Sequence, residues 1–193
     1  MKVSILHEGK SIDKDFFKLL YLHLKVTEEE LNTRVNFIGM GNKSNFFKVD
    51  NKNYTLLKEE IKSLRVEKVL FIVDADYKGD KKYDGYDETL SQITTIQQDL
   101  GIAEVSDTFI AYDMNSETKE GYLESLILST LTLEQKECIE TFLDCSNFKS
   151  KENHKAILNQ IYKTASPKAP FNFSHTNFNE LKEKLQKLFE GTE

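Results

Sequence analysis

The strongest strand signal in the sequence is residues 67–73, Glu-Lys-Val-Leu-Phe-Ile-Val, which the triplet Asp74-Ala75-Asp76 follows directly. A continuous apolar run of this length is typical of a strand that is covered on both faces, as the strands of a parallel sheet are. Acidic residues directly behind such a strand place negative charge where the strand ends. The stretch therefore predicts a parallel sheet with polar groups at its carboxyl edge.

Other segments alternate between strand and helix patterns along the chain. Short β-prone runs predict three more strands, at residues 2–7, 34–40 and 107–112. Apolar residues spaced three and four apart predict amphipathic helices, at 13–24, 54–64, 87–100, 121–130, 133–145, 151–164 and 177–190. This alternation indicates an α/β fold with a mainly parallel four-stranded sheet flanked by helices and joined by right-handed crossovers.

The length of 193 residues suits a single domain. We expect an α/β core at residues 1–130 and a C-terminal helical extension at residues 131–193 packed on it. The apolar runs are far shorter than the roughly 20 residues of a membrane span, and no signal-peptide core is present. Cys138 and Cys145 lie in one predicted helix without metal-binding spacing, which favours reduced thiols. The expectation is a cytoplasmic protein with no membrane partner.

The charge balance bears on the choice of partner. The chain carries 26 Lys and Arg against 32 Asp and Glu, a net charge of −6. This balance argues against non-specific binding of nucleic acid through bulk charge. It leaves room for an active site that handles a polyanion, because divalent cations can neutralise a group of carboxylates beside the substrate.

Acidic residues follow three of the four predicted strands. Glu8 follows the first strand, Asp74 and Asp76 follow the third, and Asp113 follows the fourth, while Glu124 lies at the start of the next helix. Ligands of an open parallel sheet bind outside the carboxyl ends of its strands. In extended chain, two residues one position apart point to the same side, so the paired aspartates should face one way. The glutamate joins them if the first and third strands are neighbours.

Carboxylates that converge at one edge repel one another unless a counter-charge is present. A divalent cation supplies that charge, and an all-oxygen ligand set favours Mg²⁺ or Mn²⁺. Two of the acids have an alternative explanation. Asp113, followed by Asn115 and Ser116, suits a turn or a helix cap equally well. Glu124 can be an ordinary first-turn acid that the helix dipole favours.

Two motifs resemble those of a known family. Residues 4–10, Ser-Ile-Leu-His-Glu-Gly-Lys, resemble the first motif of Toprim domains, and residues 71–76, Phe-Ile-Val-Asp-Ala-Asp, resemble their aspartate-x-aspartate motif. Topoisomerases, bacterial primases, small maturation RNases and the overcoming-lysogenization-defect nucleases share this domain. Residues 112–127 and the tail around 171–175 are similar to the stand-alone Toprim-like family DUF3226, so that the resemblance covers nearly the whole chain.

The resemblance implies a Toprim-like Rossmannoid fold and a Mg²⁺- or Mn²⁺-dependent phosphoryl transfer, with DNA or RNA as partner and substrate of a nuclease. It implies that Glu8, Asp74 and Asp76 hold one or two metal ions, with Asp113 and Glu124 completing or orienting the set. Nucleases of the family also use a lysine late in the domain, for which Lys155 is the candidate in this sequence, with an ordinary surface lysine as the alternative. Because no motif places a tyrosine as a strand-passing nucleophile, hydrolysis is favoured over a topoisomerase reaction.

The sequence departs from the family at one acidic position. Toprim nucleases commonly carry an aspartate four residues after the motif glutamate, where this chain has Ile12, and Asp13 comes one position later. Either a one-residue insertion keeps Asp13 among the metal ligands, or Asp13 caps the first helix. The missing acid and the acidic net charge favour a second interpretation. In it, the protein binds metal or nucleotide as a regulatory partner of another protein, or as a homodimer, without turnover.

Overall fold

The computed structural model describes residues 2–9, 12–79, 83–146 and 171–190, with only the backbone at residues 12–14, 143 and 146. It confirms the α/β fold class. The strands are β1 (Lys2–His7), β2 (Val35–Gly39), β3 (Val66–Asp74) and β4 (Ser106–Ala111), each within one residue of its predicted bounds. They form a four-stranded parallel sheet in the order β2-β1-β3-β4.

The register of the sheet brings the strand ends to one edge. β1 and β3 are neighbours, with His7 opposite Ile72, and β1 also pairs with β2, with His7 opposite Gly39. On the other side of β3, Asp74 lies opposite Ala111 at the end of β4. Because all these strands run the same way, the residues that follow them meet at the carboxyl edge of the sheet.

Helices connect and cover the strands. The described α-helices are α1 (Ile12–His23), α2 (Glu28–Arg34), α3 (Lys43–Phe46), α4 (Lys52–Lys62), α5 (Tyr86–Leu100), α6 (Leu123–Leu128), α7 (Leu133–Ser146) and α8 (Asn179–Lys187). The α6 helix is shorter than the predicted 121–130, because Gly121 has a positive φ of 129° and Tyr122 is extended. The helix predicted at 151–164 lies outside the described residues.

Two of these helices were not predicted. In α2, Thr27 and Glu30 form a reciprocal capping box, in which each side chain accepts a hydrogen bond from the other residue's backbone N–H. The short α3 begins after Asn42, whose side chain accepts a hydrogen bond from the backbone of Asn45. Both helices lie next to β2 in the chain, and α3 carries a residue of the candidate site.

The core lies on both faces of the sheet. One face packs α1, α2, α6 and α8 against inward side chains of all four strands, including Ile5, Leu70 and Phe109. The opposite face packs α4 and α5 against the alternate side chains, including Leu6, Phe71 and Ile110. Each large apolar side chain buried in this way contributes about 1.5–3 kcal/mol to stability. Of the helices that the structure describes, none is long and apolar enough to cross a membrane.

Candidate functional site

Glu8 and Asp74 join the ends of the two central strands. Glu8 directly follows β1, and its Oε1 atom accepts a hydrogen bond of 2.9 Å from the backbone N–H of Asp74, the last residue of β3. Both side chains are partly exposed. The expected approach of these two acids is therefore present in the structure, and the backbone of one strand orients the carboxylate that follows the other.

Asp74 also connects the sheet to the helix that follows β4. Its Oδ1 atom accepts a hydrogen bond of 2.9 Å from the backbone N–H of Leu123, the first residue of α6. The first N–H groups of a helix have no partner within the helix, so the carboxylate satisfies one of them. This bond also brings Glu124, the second residue of α6, to the edge of the sheet.

Asp76 does not continue the extended chain of β3. Its φ is 62°, in the left-handed region, and its backbone N–H donates a 2.8 Å hydrogen bond to the carbonyl of Gly121. The N–H of Gly121 donates back to the carbonyl of Asp76 at 3.3 Å, which forms an isolated antiparallel bridge. The premise that an extended chain points both aspartates to one side is therefore wrong, because the backbone turns at Asp76.

The carboxylate of Asp76 is paired with Lys43, the first residue of α3. The Nζ atom of Lys43 lies 3.2 Å from Oδ2 of Asp76, and both residues are 4% exposed. The same Nζ donates a 2.8 Å hydrogen bond to the carbonyl of Ala75. Sequence reasoning missed Lys43, since a lysine in a polar loop is normally solvated; the cap residue Asn42 before it was the available signal that the loop is structured.

Two glycines allow the chain to pack closely around the edge. At Gly121, an added Cβ would lie 2.9 Å from the backbone nitrogen of Asp113 and 2.9 Å from the Cβ of Ser125. At Gly39, the end of β2, an added Cβ would lie 2.8 Å from the carbonyl oxygen of Gly9. Contacts this short exclude a side chain, so both glycines are needed for the loops that carry the acids.

Asp113 organises its own turn. Its Oδ1 atom accepts hydrogen bonds from the backbone N–H of Asn115 at 2.9 Å and from the side-chain amide of Asn115 at 3.2 Å. Its backbone N–H donates to the carbonyl of Glu120 at 3.0 Å. Of the two roles that the sequence left open for Asp113, the turn role has direct contacts in the structure. Glu124 occupies the first turn of α6, where a negative charge is favoured by the helix dipole.

Tyr77 lies beside the triplet and contacts α6. Its hydroxyl is 3.4 Å from Oγ of Ser125, and its ring packs edge-on against Tyr122 with the centroids 5.2 Å apart. Burial raises the pKa of the Tyr77 phenol, and the charges of Asp113 and Glu120 raise it further. The phenol is therefore protonated at neutral pH and serves as a hydrogen-bonding group.

Two predicted site residues fall outside what the structure describes. Asp13 is the second residue of α1, but its side chain is not described, so that its role as ligand or as cap stays open. Lys155 lies in the stretch 147–170, which is outside the described residues. The expectations for both residues stay predictions.

The donor set can be compared with what Mg²⁺ or Mn²⁺ requires. In the parts of the chain that the structure describes, no three His, Cys, Asp or Glu side chains lie together in a way that could hold a metal ion. However, Mg²⁺ usually keeps several waters and binds proteins through one or two carboxylates. Glu8 and Asp74 supply two partly exposed carboxylates at this edge of the sheet, and an ionised carboxylate offers about four acceptor positions. The residues fit a magnesium-type ion on this basis.

The fold and the site together define an α/β protein with paired acids at the carboxyl edge of a parallel sheet. No family model, no curated protein and no solved structure matches this chain.

Proposed function

We propose that this chain is a Mg²⁺- or Mn²⁺-dependent phosphoryl-transfer protein of the Toprim type, and that it acts as a nuclease on DNA or RNA. The observation that carries the proposal is the hydrogen bond between Glu8 and the backbone of Asp74, which joins two acids from separate strands at the ligand-binding edge of the sheet. Negatively charged carboxylates that lie near one another repel, and a bound cation relieves that repulsion.

The residues have separate tasks in the proposed reaction. Glu8 and Asp74 would hold the ion, each oriented by a backbone N–H. A bound metal ion of this kind polarises a phosphate and lowers the pKa of water. Asp113 contributes negative charge near the site, whereas the charge of Asp76 is balanced by Lys43. Lys155, expected from the resemblance, would stabilise charge on the phosphate.

A cleavage assay tests the proposal. Purified protein is incubated with labelled single- and double-stranded DNA and RNA, in Mg²⁺, Mn²⁺, Ca²⁺ or EDTA. We expect cleavage in Mg²⁺ or Mn²⁺ and little in Ca²⁺, whose looser coordination suits hydrolysis poorly. Glu8→Gln should lower the rate on the order of a hundredfold or more, the scale of a lost electrostatic group. Cleavage that persists in EDTA would contradict the mechanism.

A matched control is available at the opposite edge of the sheet. Glu104 is exposed in the short 3₁₀ turn at Ala103–Val105, just before β4 begins. Glu104→Gln removes the same charge as Glu8→Gln but lies at the amino end of the strand. We expect Glu104→Gln to keep the wild-type rate. An equal loss in both variants would mean that net charge, and not the proposed site, governs activity.

A second candidate function is binding without turnover, as a regulatory subunit for another protein or for a second copy of the chain. The observation in its favour is the buried pair of Lys43 and Asp76, which neutralises one of the acids that a catalytic site would use. Fluorescence anisotropy with labelled oligonucleotides distinguishes the two candidates. Mg²⁺-dependent binding without cleavage supports the regulatory function, and turnover excludes it.

We propose the cytoplasm as the place of action. Cys138 and Cys145 are both unpaired thiols exposed on α7, a state that a reducing compartment maintains. Exposed thiols of this kind are prone to oxidation elsewhere.

A further inference from the structure

We propose that Lys43 is a positioning residue that holds Asp76 away from the metal ion, so that this edge of the sheet takes one divalent cation, bound by Glu8 and Asp74. The inference rests on the proposed metal site and specifies how many ions it takes and which acids hold them. It differs from the expectation of the sequence, in which Asp74 and Asp76 act together as ligands.

The pairing of Lys43 with Asp76 is the first argument. Both residues are 4% exposed, and the Nζ atom lies 3.2 Å from Oδ2 of the carboxylate. Within the described residues, that buried oxygen has no hydrogen-bond donor, so the ion pair is its charge compensation. A cation bound to the same oxygen would face the ammonium group across it. The site of a second cation is therefore already filled by the lysine charge.

The backbone around the pair is the second argument. The carbonyl of Ala75 accepts hydrogen bonds from Lys43 Nζ and from the backbone N–H of Gly85, each at 2.8 Å. On the other side, Asp76 is bridged to Gly121 through two backbone hydrogen bonds. These bonds hold the left-handed conformation of Asp76 and direct its side chain to Lys43.

Asp74 belongs to a different set of contacts. Its carboxylate accepts from Leu123 and its backbone N–H donates to Glu8. The three acids are thus divided into two groups: Glu8 and Asp74 lie at the sheet edge and are partly exposed, whereas Asp76 is buried against α3. The carboxylates of Glu8 and Asp74 are thus reached by solvent at the sheet edge, whereas the third acid is paired with a buried lysine.

Titration with Mn²⁺ alone tests the inference, with the number of bound ions and the affinity measured by electron paramagnetic resonance of free Mn²⁺ and by calorimetry. We expect one ion per wild-type chain. Asp74→Asn should weaken binding at least tenfold, whereas Asp76→Asn should stay within about threefold of the wild type. Lys43→Met should bind at least tenfold more tightly or take a second ion, because it leaves Asp76 without its charge partner. Lys43→Arg should behave as the wild type.

Far-UV circular dichroism shows which variants fold. If Lys43→Met or Asp76→Asn does not fold, the double variant Lys43→Met/Asp76→Asn takes its place. It leaves neither charge unpaired, and we expect it to bind one ion within about threefold of the wild type. If it loses binding as Asp74→Asn does, Asp76 is a ligand and the inference is overturned.

The remaining outcomes separate this inference from the proposed function. If the wild type binds one ion but folded Lys43→Met binds it no better, the role of Lys43 is overturned and the metal site stands. If only Lys43→Met binds Mn²⁺, the role of Lys43 is supported and the metal-dependent function of the wild type fails. If neither the wild type nor any variant binds Mn²⁺, both are overturned.

Discussion

The Oε1 atom of Glu8 lies 2.9 Å from the backbone nitrogen of Asp74 and accepts its hydrogen bond. An acid that follows the central strand is therefore oriented by the main chain of the neighbouring strand. A main-chain donor moves less than a side chain does, because it is fixed by the sheet itself. The pairing of β1 with β3, which sets the register of the sheet, consequently also orients the Glu8 carboxylate.

The first prediction concerns metal-dependent stability. Mn²⁺ or Mg²⁺ should raise the melting temperature of the wild type, because an ion that binds the folded state alone stabilises it by RT ln(1 + [L]/Kd). Asp74→Asn should remove most of this shift. Its amide oxygen can still accept from Leu123, so the metal-free variant should be about as stable as the wild type. Differential scanning calorimetry with and without the ion measures both effects. A metal-free variant that melts much earlier, together with no response to metal in either protein, would make Asp74 a helix cap only.

The second prediction concerns Gly121. Gly121→Ala should destabilise the protein by about 3 kcal/mol, because the new Cβ would meet Asp113 and Ser125 at 2.9 Å and the φ of 129° is unfavourable for alanine. Gly79 is the matched control, with a φ of 88° and open space around it. Gly79→Ala should cost only about 1–2 kcal/mol, from backbone strain alone. Urea unfolding measures both variants, and equal losses would show that crowding at Gly121 is unimportant.

The third prediction compares two fully buried tyrosines. The hydroxyl of Tyr54 donates a 2.7 Å hydrogen bond to the carbonyl of Phe46, whereas the hydroxyl of Tyr21 has no hydrogen-bond partner among the described residues. Tyr54→Phe should therefore cost about 1 kcal/mol, and Tyr21→Phe should be neutral or stabilising by up to about 1 kcal/mol. Chemical denaturation of the two variants is the measurement. A clear loss of stability in Tyr21→Phe would mean that its hydroxyl has a stabilising contact.

The fourth prediction is loss of stability in alkali. Burial raises the pKa of Tyr21 and Tyr54 far above the ordinary value of 10.0. Above that pH the unfolded chain ionises these phenols while the folded chain keeps them protonated, so the free energy of unfolding falls as pH rises. The stabilising effect is complete below about pH 10, and each tyrosine contributes a slope of up to about 1.4 kcal/mol per pH unit above it. Urea unfolding between pH 8 and pH 11 should show a shallower decline in Tyr21→Phe than in the wild type. Parallel curves would contradict this.

The sequence was sufficient to predict the sheet and the place of Glu8 and Asp74 at its edge. Apolar runs such as 67–73 identify strands because both of their faces are buried, and the end of a parallel strand fixes where the next residue goes. Glu8 and Asp74 could therefore be placed at one edge before the structure was known. The capping box of Thr27 and Glu30 was also readable, although the helix that it begins was not predicted.

The role of Lys43 could not be predicted in the same way. Its charge partner Asp76 and its hydrogen-bond partner Ala75 lie far along the chain, and the contact depends on how the loop after β2 packs beside the loop after β3. The turn at Asp76 was equally hidden, because an aspartate adopts a left-handed φ only where its surroundings hold it there. Local patterns carry no information on either point.

The strand order also determines when the site can form during folding. β1 lies between β2 and β3 in the sheet, yet the residues joined by the Glu8 and Asp74 hydrogen bond are separated by 66 positions in the chain. Closing a loop of this length costs entropy before any contact repays it, and such non-local pairing slows folding. The two acids therefore meet only after β1 has paired with β3. A chain that has formed only its local helices has not yet brought Glu8 beside Asp74, so the proposed cation site depends on the pairing of β1 with β3.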